Sequence, residues 1–394
     1  TIVSMTDFPC PDYAGGSLVN LMSSLRGALG APATDYPEAK LLPAAELCPA
    51  RRIVLLLIDG LGYDFLLRQS PDAVLRRHLR GRMDSVFPTT TAAAITSLTT
   101  GVAPQQHAIT GWFMWLRELG MVTSILPFRS RAGHLDLAHA GLSVEPYIGA
   151  PPLFAALQRT AAVLSPARIV DSAFSRASTG PVRRIGYQDL DDLFLRLTAL
   201  VTAADGPEFI YAYWPEFDSL AHVKGVSGIE AQAHFQALDR ACGEFLDRIA
   251  GTDTCVLITA DHGFIDTGAD HYLHLADHPD LAACLRLPLC GEPRSAYCYV
   301  RPDRVNAFER YAAEVLGEYC DCVASGELIE RGLFGLGAAH PELAARIGDY
   351  VLLMKGRHVI KDYVAGEKPF FFAGVHSGLS EAELRVPVER QGGE

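Results

Sequence analysis

Three short apolar segments constrain the fold of this chain more than any other feature. They occupy residues 53–58, 209–213 and 255–260, and polar residues do not alternate within them. A continuous apolar run of this length is typical of a parallel strand that is buried on both faces. Amphipathic helical patterns at residues 17–29, 188–203 and 229–250 alternate with these runs. The sequence therefore predicts an α/β protein.

Side chains that can bind a metal follow each apolar run. Asp59 follows the first run, and the pair Asp261 and His262 follows the third. After the second run, Asp218 and His222 are four residues apart, so on a helix they would share one face. An Asp-Gly turn or a chance Asp-x-x-x-His spacing explains any one of these patterns alone. Because α/β proteins bind ligands beyond the carboxyl ends of their strands, the three together predict one shared site.

A cluster of three threonines lies in the segment 84–101. The strand-prone residues 85–87 and Pro88 precede Thr89, Thr90 and Thr91, and an alanine-rich helical pattern follows. A hydroxyl at the start of a helix lies beside free backbone N–H groups and the positive end of the helix dipole, which favour an anion such as phosphate. An ordinary threonine N-cap is the alternative interpretation, and this segment alone does not exclude it.

Composition limits the classes of function. The chain has 394 residues, 49% of them hydrophobic and 20% charged, with a formal net charge of −12. That charge argues against a surface for nucleic-acid polymers, and no apolar run reaches the roughly 18 residues of a membrane span. This composition fits a globular enzyme with no nucleic-acid polymer partner and no membrane span, while the oligomeric state stays open.

The later part of the chain has a different pattern of predicted strands and helices. Short strand and helix patterns between residues 278 and 370 predict a small α+β insertion. We accordingly predict a core at residues 1–277, the insertion at 278–370, and a return to the core at 371–394, which contains His376. Nine scattered cysteines and an N-terminus without a signal-peptide pattern lead us to expect reduced thiols in the core and a cytoplasmic location.

Taken in order, the motifs IDG, FPTTT, PEFDSLAH, ADHG and VHSG resemble those of the alkaline phosphatase superfamily, specifically its type I phosphodiesterase/nucleotide pyrophosphatase branch. They extend from residue 59 to residue 376. The resemblance implies a central, mostly parallel sheet with helices on both faces and a smaller α+β cap. It also implies two Zn²⁺ ions, with Mn²⁺ as an alternative, one held by Asp59, Thr91, Asp261 and His262 and the other by Asp218, His222 and His376.

The resemblance further implies a reaction. Thr91, rather than Thr89 or Thr90, matches the family nucleophile, so we expect a phosphothreonine intermediate and a phosphodiester or nucleotide-like substrate. Another phosphoryl-transfer enzyme of the superfamily, such as a monoesterase, phosphonate hydrolase or mutase, is the alternative. A non-catalytic, metal-stabilised binding module is the third and least favoured hypothesis.

Two further expectations concern the surroundings of the nucleophile. The family pattern, as we align it, has an asparagine three residues after the nucleophile, where this chain has Ala94. We therefore expect weak nucleotide specificity, and expect Ala94→Asn to raise turnover modestly by restoring a hydrogen-bond donor. The residues Trp112, Phe113, Met114 and Trp115 are either pocket walls or core.

Overall fold

The computed structural model describes residues 8–392. The strands in this range, β1 to β18 in chain order, are Arg52–Ile58, Leu79–Asp84, Phe113–Leu116, Met121–Ser124, Arg129–Ser130, Ala161–Pro166, Arg183–Tyr187, Phe209–Trp214, Thr254–Thr259, Ile265–Asp266, Tyr272–His274, Cys290–Glu292, Ser295–Cys298, Cys320–Ala324, Tyr350–Met354, Val359–Lys361, Gly374–Val375 and Arg385–Gln391. The α-helices, α1 to α15, are Leu18–Ala28, Ala44–Leu47, Tyr63–Leu67, Val74–Arg77, Thr91–Thr100, Pro104–His107, Ala173–Thr179, Leu190–Thr202, Glu216–Lys224, Ile229–Arg248, Pro279–Cys284, Val305–Glu314, Ser325–Glu330, Leu343–Ile347 and Glu381–Leu384.

The first sheet has the strand order β2-β18-β9-β1-β8-β6-β7. The five strands from β9 to β7 are parallel, and β18 runs antiparallel to both of its neighbours. Every residue of β1, β8 and β9 is buried, as their continuous apolar sequences require. The predicted α/β fold with a largely parallel central sheet is confirmed.

The helices cover this sheet in two groups. In one group α1 contacts both α2 and α5, and in the other α10 contacts both α8 and α9. Helix α8 shows why such segments form: the Asp189 side chain caps its N-terminus, and its buried side chains recur on one face. No α-helix between residues 8 and 392 is both long and apolar enough to cross a membrane.

A second sheet, with the order β14-β15-β13-β12-β3-β4-β5, is antiparallel throughout. Its strands β3 to β5 come from the segment 113–130, which the sequence analysis assigned to the first part of the core. Strands β3 and β12 are joined by the pairing of Phe113 with Gly291. Gly291 has a φ of 74°, which favours glycine, and its backbone lies close to Gly111. The predicted insertion therefore shares its sheet with residues 113–130, and the domain boundaries stay a prediction.

Strand register brings the motif residues to one edge of the first sheet. Leu57 pairs with Thr259 and Ile58 with Trp214, so the chain leaves all three strands at the same level. Asp59 and Asp261 both lie two residues beyond the Leu57–Thr259 pair. A small antiparallel pairing of β17 with β10 brings His376 to the same edge.

Candidate active site

Asp59, Asp261 and His262 form the first group of side chains at this edge, and all three are buried. The Nε2 atom of His262 lies 3.3 Å from Asp59 Oδ1 and 3.4 Å from Asp261 Oδ2. Asp261 Oδ1 accepts hydrogen bonds from the backbone N–H groups of Gly60 and His262, each at 3.0 Å. Asp59 Oδ2 accepts one from the Tyr213 hydroxyl. The remaining oxygens, Asp59 Oδ1 and Asp261 Oδ2, have no hydrogen-bond partner among the described residues.

Asp218, His222 and His376 form the second group. Asp218 and His222 lie one turn apart on α9, and Asp218 Oδ1 is 3.5 Å from His222 Nε2 and 3.7 Å from His376 Nε2. Asp218 Oδ1 also lies 3.9 Å from His262 Nε2, which connects the two groups. Within residues 8–392 it too is a buried oxygen without a hydrogen-bond partner.

The three imidazoles all direct Nε2 into the site. A backbone carbonyl oxygen lies near each Nδ1: Gly374 at 2.9 Å from His222, Thr89 at 2.9 Å from His376 and Gly263 at 3.1 Å from His262. Because a carbonyl can only accept, each Nδ1 is a protonated nitrogen, which leaves Nε2 as the nitrogen that could bind a metal ion. Such a hydrogen bond to the outer nitrogen is the usual support of a metal-binding histidine.

The electrostatics of both groups suit a bound cation. Burial raises the pKa of Asp59 to about 6 and, together with the charge of Asp59, raises the pKa of Asp261 to about 8. Burial and the charges of Asp59 and Asp261 raise the pKa of Asp218 well above its usual range. Burial also lowers the pKa of His222 to about 4 and that of His376 well below its usual value. Crowded carboxylates beside neutral imidazoles are stabilised by a bound metal ion.

Distances within the groups agree with this. The Nε2 atoms of His222 and His376 are 3.2 Å apart, a separation that two ligands of one metal ion would have. Ligands about 2.0–2.1 Å from a tetrahedral zinc ion are about 3.3 Å apart, close to the separations in both groups. Asp and His ligands suit zinc, and a site of this type also accepts manganese. The side chains therefore fit the two metal sites that the family resemblance implies.

Thr91 is the first residue of α5, and its hydroxyl faces the first group. Thr91 Oγ1 lies 3.2 Å from His262 Nε2. The hydroxyls of the two preceding threonines are directed elsewhere, because Thr89 donates to the carbonyl of Gly378 at 2.8 Å and Thr90 donates to Glu292 at 2.6 Å. Although Thr90 is the N-cap residue by position, its side chain makes no cap hydrogen bond to the described part of α5. The first N–H groups of this helix are thus left without side-chain capping.

A cavity of about 500 Å³ opens beside these residues. Asp59, Thr91, Asp218, His222 and His376 line it. Of the four residues considered as pocket walls, Trp112 and Phe113 line the cavity. Met114 is fully buried in a separate core cluster, and Trp115 packs against the core of the second sheet. The alternation of side chains along β3 explains why Met114 packs in a different cluster from Phe113 and Trp115, both of which pack against the core of the second sheet.

The structure places Ala94 among apolar side chains. Its side chain has 0% exposure and belongs to the hydrophobic core cluster, which also contains its neighbour Ala93 and Leu98. An asparagine at this position would bury its amide in that core cluster. The expected gain in turnover from Ala94→Asn stays a prediction, and this burial argues against it.

The sequence analysis missed three polar residues of the site. Tyr213 holds Asp59, Glu292 accepts the Thr90 hydroxyl and the Trp112 N–H, and Lys361 lines the cavity. The sequence does contain a signal for Tyr213, since a tyrosine near the end of a buried strand needs a hydrogen-bond partner for its hydroxyl. It contains no such signal for Glu292 and Lys361, because long-range strand pairing brings them to the cavity.

Comparisons with known proteins give a family match and several similar folds. Residues 53–363 match the family model for type I phosphodiesterase / nucleotide pyrophosphatase. A search of curated proteins found no match to the chain. Among solved structures, murine ectonucleotide pyrophosphatase / phosphodiesterase 5, in an inactive form in complex with AMP, is similar with a TM-score of 0.65 and 15% identity, over 87% of this chain and 88% of that one.

Two further structures are similar. Human ectonucleotide pyrophosphatase / phosphodiesterase 5 gives a TM-score of 0.63 at 15% identity, with 86% of this chain and 88% of that chain covered. Phosphonoacetate hydrolase from Sinorhizobium meliloti 1021, in complex with phosphonoformate, gives 0.62 at 18% identity, with 86% and 90% covered. At these identities the likeness concerns the fold. The family match covers most of the chain, which therefore belongs to the type I phosphodiesterase / nucleotide pyrophosphatase family of the alkaline phosphatase superfamily, a family of phosphoryl hydrolases.

Proposed function

We propose that this protein is a two-zinc phosphodiesterase in which Thr91 is the nucleophile. The observation that carries the proposal is the position of the Thr91 hydroxyl. It lies at the N-terminus of α5, 3.2 Å from His262 Nε2, and lines the same cavity as residues of both metal-binding groups. A nucleophile, an anion-binding helix end and two cation sites are the parts that an in-line phosphoryl transfer needs.

The reaction would take place in two displacements. Thr91 Oγ1 forms a bond to phosphorus while the bond to the leaving oxygen breaks, which gives a phosphothreonine. The first N–H groups of α5 orient the phosphoryl oxygens during this step. Two zinc ions, when bound, would lower the pKa of the Thr91 hydroxyl and neutralise charge on the attacking and leaving oxygens. Water then attacks phosphorus and releases the threonine hydroxyl.

The similar structures support both parts of the proposal. The inactive murine relative has a threonine replaced by alanine and is in complex with AMP. This agrees with a threonine nucleophile and with a phosphodiester or nucleotide-like substrate for the present chain. Asp59, Asp218 and Asp261, together with three histidines, supply the nitrogen and oxygen ligands that zinc prefers, with manganese as the alternative ion.

A phosphonate hydrolase is the second candidate function. The similarity to phosphonoacetate hydrolase, at a TM-score of 0.62, favours it. The same nucleophile and metal sites would then break a carbon–phosphorus bond. A non-catalytic binding module stays the third hypothesis, which any metal-dependent turnover would exclude.

The test uses purified protein that is stripped by a chelator and reloaded with zinc or manganese. We would measure kcat/KM for bis(para-nitrophenyl) phosphate, for the corresponding monoester and for phosphonoacetate. The proposal expects metal-dependent turnover, with the diester preferred over the monoester by at least about tenfold, a difference of 1.4 kcal/mol in transition-state binding.

Faster turnover of phosphonoacetate would support the second candidate and overturn the first. Faster turnover of the monoester would indicate a phosphatase. Equal activity of stripped and reloaded protein would contradict the role of the metals in either reaction.

A further inference from the structure

The ammonium group of Lys361 lies in the wall of the cavity without a hydrogen-bond acceptor. Lys361 is the last residue of β16, and its backbone is held by the parallel pairing with His274 of β11. Its Nζ atom is shielded from solvent and has no hydrogen-bond partner within the described range 8–392. A buried charge without such a partner is costly, so an anionic group bound beside Nζ would be stabilised there.

Two aromatic rings hold this ammonium group in place. Its Nζ atom lies 3.5 Å from the ring centre of Phe370 and 4.5 Å from that of Phe372. Ring faces attract a cation but cannot accept a conventional hydrogen bond, so the N–H groups of Lys361 stay available. Burial lowers the pKa of Lys361 to about 8, which leaves the side chain mainly protonated at neutral pH.

The other positively charged residue of the described cavity wall already has carboxylate partners. Arg131 forms ion pairs with Asp362 at 2.7 Å and Glu367 at 3.0 Å. Glu292 Oε1 accepts hydrogen bonds from Thr90 Oγ1 and from the backbone N–H of Trp112, and no ion pair joins Glu292 to Lys361 in the part of the chain that is described. Lys361 is thus the lysine or arginine of the described cavity wall that lacks a carboxylate partner.

The position of Lys361 indicates which part of a substrate it would meet. The ring of Phe372 lies 4.3 Å from the ring of His222, so one aromatic side chain separates Lys361 from the second metal-binding group. Thr91, in contrast, contacts the first group through His262. In an in-line displacement the leaving oxygen lies opposite the nucleophile, and therefore toward the second group and Lys361.

We propose that Lys361 binds an anionic substituent on the leaving group of the substrate. The inference rests on the proposed phosphodiesterase function and gives it a substrate class: phosphodiesters whose leaving group has an apolar body and a further negative charge. The apolar body would contact Trp112 and Phe113, which line the same cavity. An enclosed, mostly apolar pocket with a few directed polar groups is the usual design of such a site.

The test compares two methyl aryl phosphates, one with para-nitrophenol as leaving group and one whose nitrophenol carries an additional carboxylate. Wild type should prefer the carboxylated ester. In Lys361→Met the ratio of kcat/KM for the two esters should fall by at least about tenfold, the factor for a lost hydrogen bond to a charged group. Lys361→Arg should retain part of the preference. The control Lys368→Met removes a positive charge from an exposed residue of the loop that follows β16, and it should keep the wild-type ratio.

A binding measurement separates this inference from the proposed function. Calorimetry on zinc-loaded protein would compare the free carboxylated nitrophenol with para-nitrophenol. We expect wild type to favour the carboxylated phenol and Lys361→Met to lose at least about tenfold in its affinity. If wild type hydrolyses neither ester, the proposed function fails, while the binding result still decides the role of Lys361. An unchanged ratio of rates or affinities in Lys361→Met, or no binding of the carboxylated phenol by wild type, would overturn the inference.

Discussion

The three adjacent threonines at the start of α5 differ in the partners of their hydroxyl groups. Thr89 and Thr90 donate to oxygen atoms outside the metal-binding groups, whereas Thr91 faces His262. The choice of Thr91 over Thr89 and Thr90, which the family resemblance implied, thus agrees with the directions of the three hydroxyl groups. A hydroxyl that is already a donor in a short hydrogen bond is less available for attack on phosphorus than one beside a cation site.

The first prediction at this scale concerns the nucleophile. Thr91→Ala should lower kcat by more than about 10⁴-fold, because the attacking oxygen is removed, while the fold and metal content are kept. Thr91→Ser should retain measurable turnover, and Thr90→Val serves as the neighbouring control. Steady-state kinetics and elemental analysis of all three variants would check this. Loss of activity in Thr90→Val together with normal activity in Thr91→Ala would show that the register is wrong.

The second prediction concerns Ala94. Ala94→Asn should destabilise the protein by about 1–3 kcal/mol, because the amide would be buried without hydrogen-bond partners. Turnover of diesters should not rise. Ala313→Asn on the exposed side of α12 is the control, with an expected loss of less than about 1 kcal/mol from helix propensity. Urea unfolding measures both variants, and a stable Ala94→Asn protein with faster diester turnover would restore the original hypothesis.

At the scale of elements, one buried ion pair connects the second sheet to the segment that carries His376. Arg294, directly before β13, contacts both carboxylate oxygens of Glu383 in α15, at 2.8 and 2.9 Å. The same carboxylate accepts hydrogen bonds from the backbone of Gly378 and from the Ser380 hydroxyl. Gly378 lies two residues after His376, so the network also fixes the position of this histidine.

The third prediction follows from that network. Glu383→Ala should reduce the free energy of unfolding by about 3–5 kcal/mol, since it leaves the Arg294 guanidinium buried and unpaired. The matched control is Glu381→Ala, which breaks the exposed pair with Arg385 and should cost no more than about 1 kcal/mol. Denaturant unfolding of the two variants provides the measurement. Equal losses of unfolding free energy in the two variants would mean that the buried pair does not connect the second sheet to the segment that carries His376.

The fourth prediction concerns β18 and pH. Burial, followed by the charge of Asp239, raises the pKa of Glu389 well above its usual value. A carboxyl with a raised folded pKa holds its proton more tightly in the folded state, so its stabilising contribution is full below the unfolded pKa and is lost as pH rises. Glu389→Gln should therefore be more stable than wild type at pH 8, and the difference should shrink toward pH 4.5.

Thermal melts of wild type and Glu389→Gln across that range test the linkage. Glu314→Gln, at an exposed position of α12, should show no such trend. A stability difference for Glu389→Gln that does not change with pH would rule out a titration of this carboxyl.

At the scale of the whole molecule, a chain with a net charge of −12 concentrates three carboxylates at one edge of its central sheet. The fifth prediction is that purified protein holds close to two metal ions per chain and that chelation lowers Tm. A ligand present at a thousand times its Kd contributes about 4 kcal/mol to stability. Elemental analysis and melts with and without chelator are the measurements. Metal-free protein with an unchanged Tm would contradict both sites, and a cytoplasmic location stays a separate prediction.

How much of the site could be read from the sequence depends on how each residue reaches it. Asp59 and Asp261 directly follow strands whose apolar runs mark them as parallel neighbours, and Asp218 and His222 lie one helical turn apart after a third strand. Such local patterns determine position because strand register and helix periodicity are repeated at every residue. The fold class and these candidate residues were therefore accessible before any coordinates, whereas His376 and the division into two ligand sets came from the family resemblance.

Other features depended on tertiary structure alone. Cys10 and Cys48 are exposed, although the sequence suggested core thiols. Ala94 is buried in the core cluster, and the alanine-rich sequence of α5 does not indicate which of its alanines are buried in that cluster. Segment 113–130 joins the second sheet through its pairing with Gly291, and Lys361 reaches the cavity through β16. Local sequence patterns determined where the candidate reacting groups lie. Long-range strand pairing decided which residues surround the substrate, because a contact between distant segments produces no periodic pattern in the sequence of either segment.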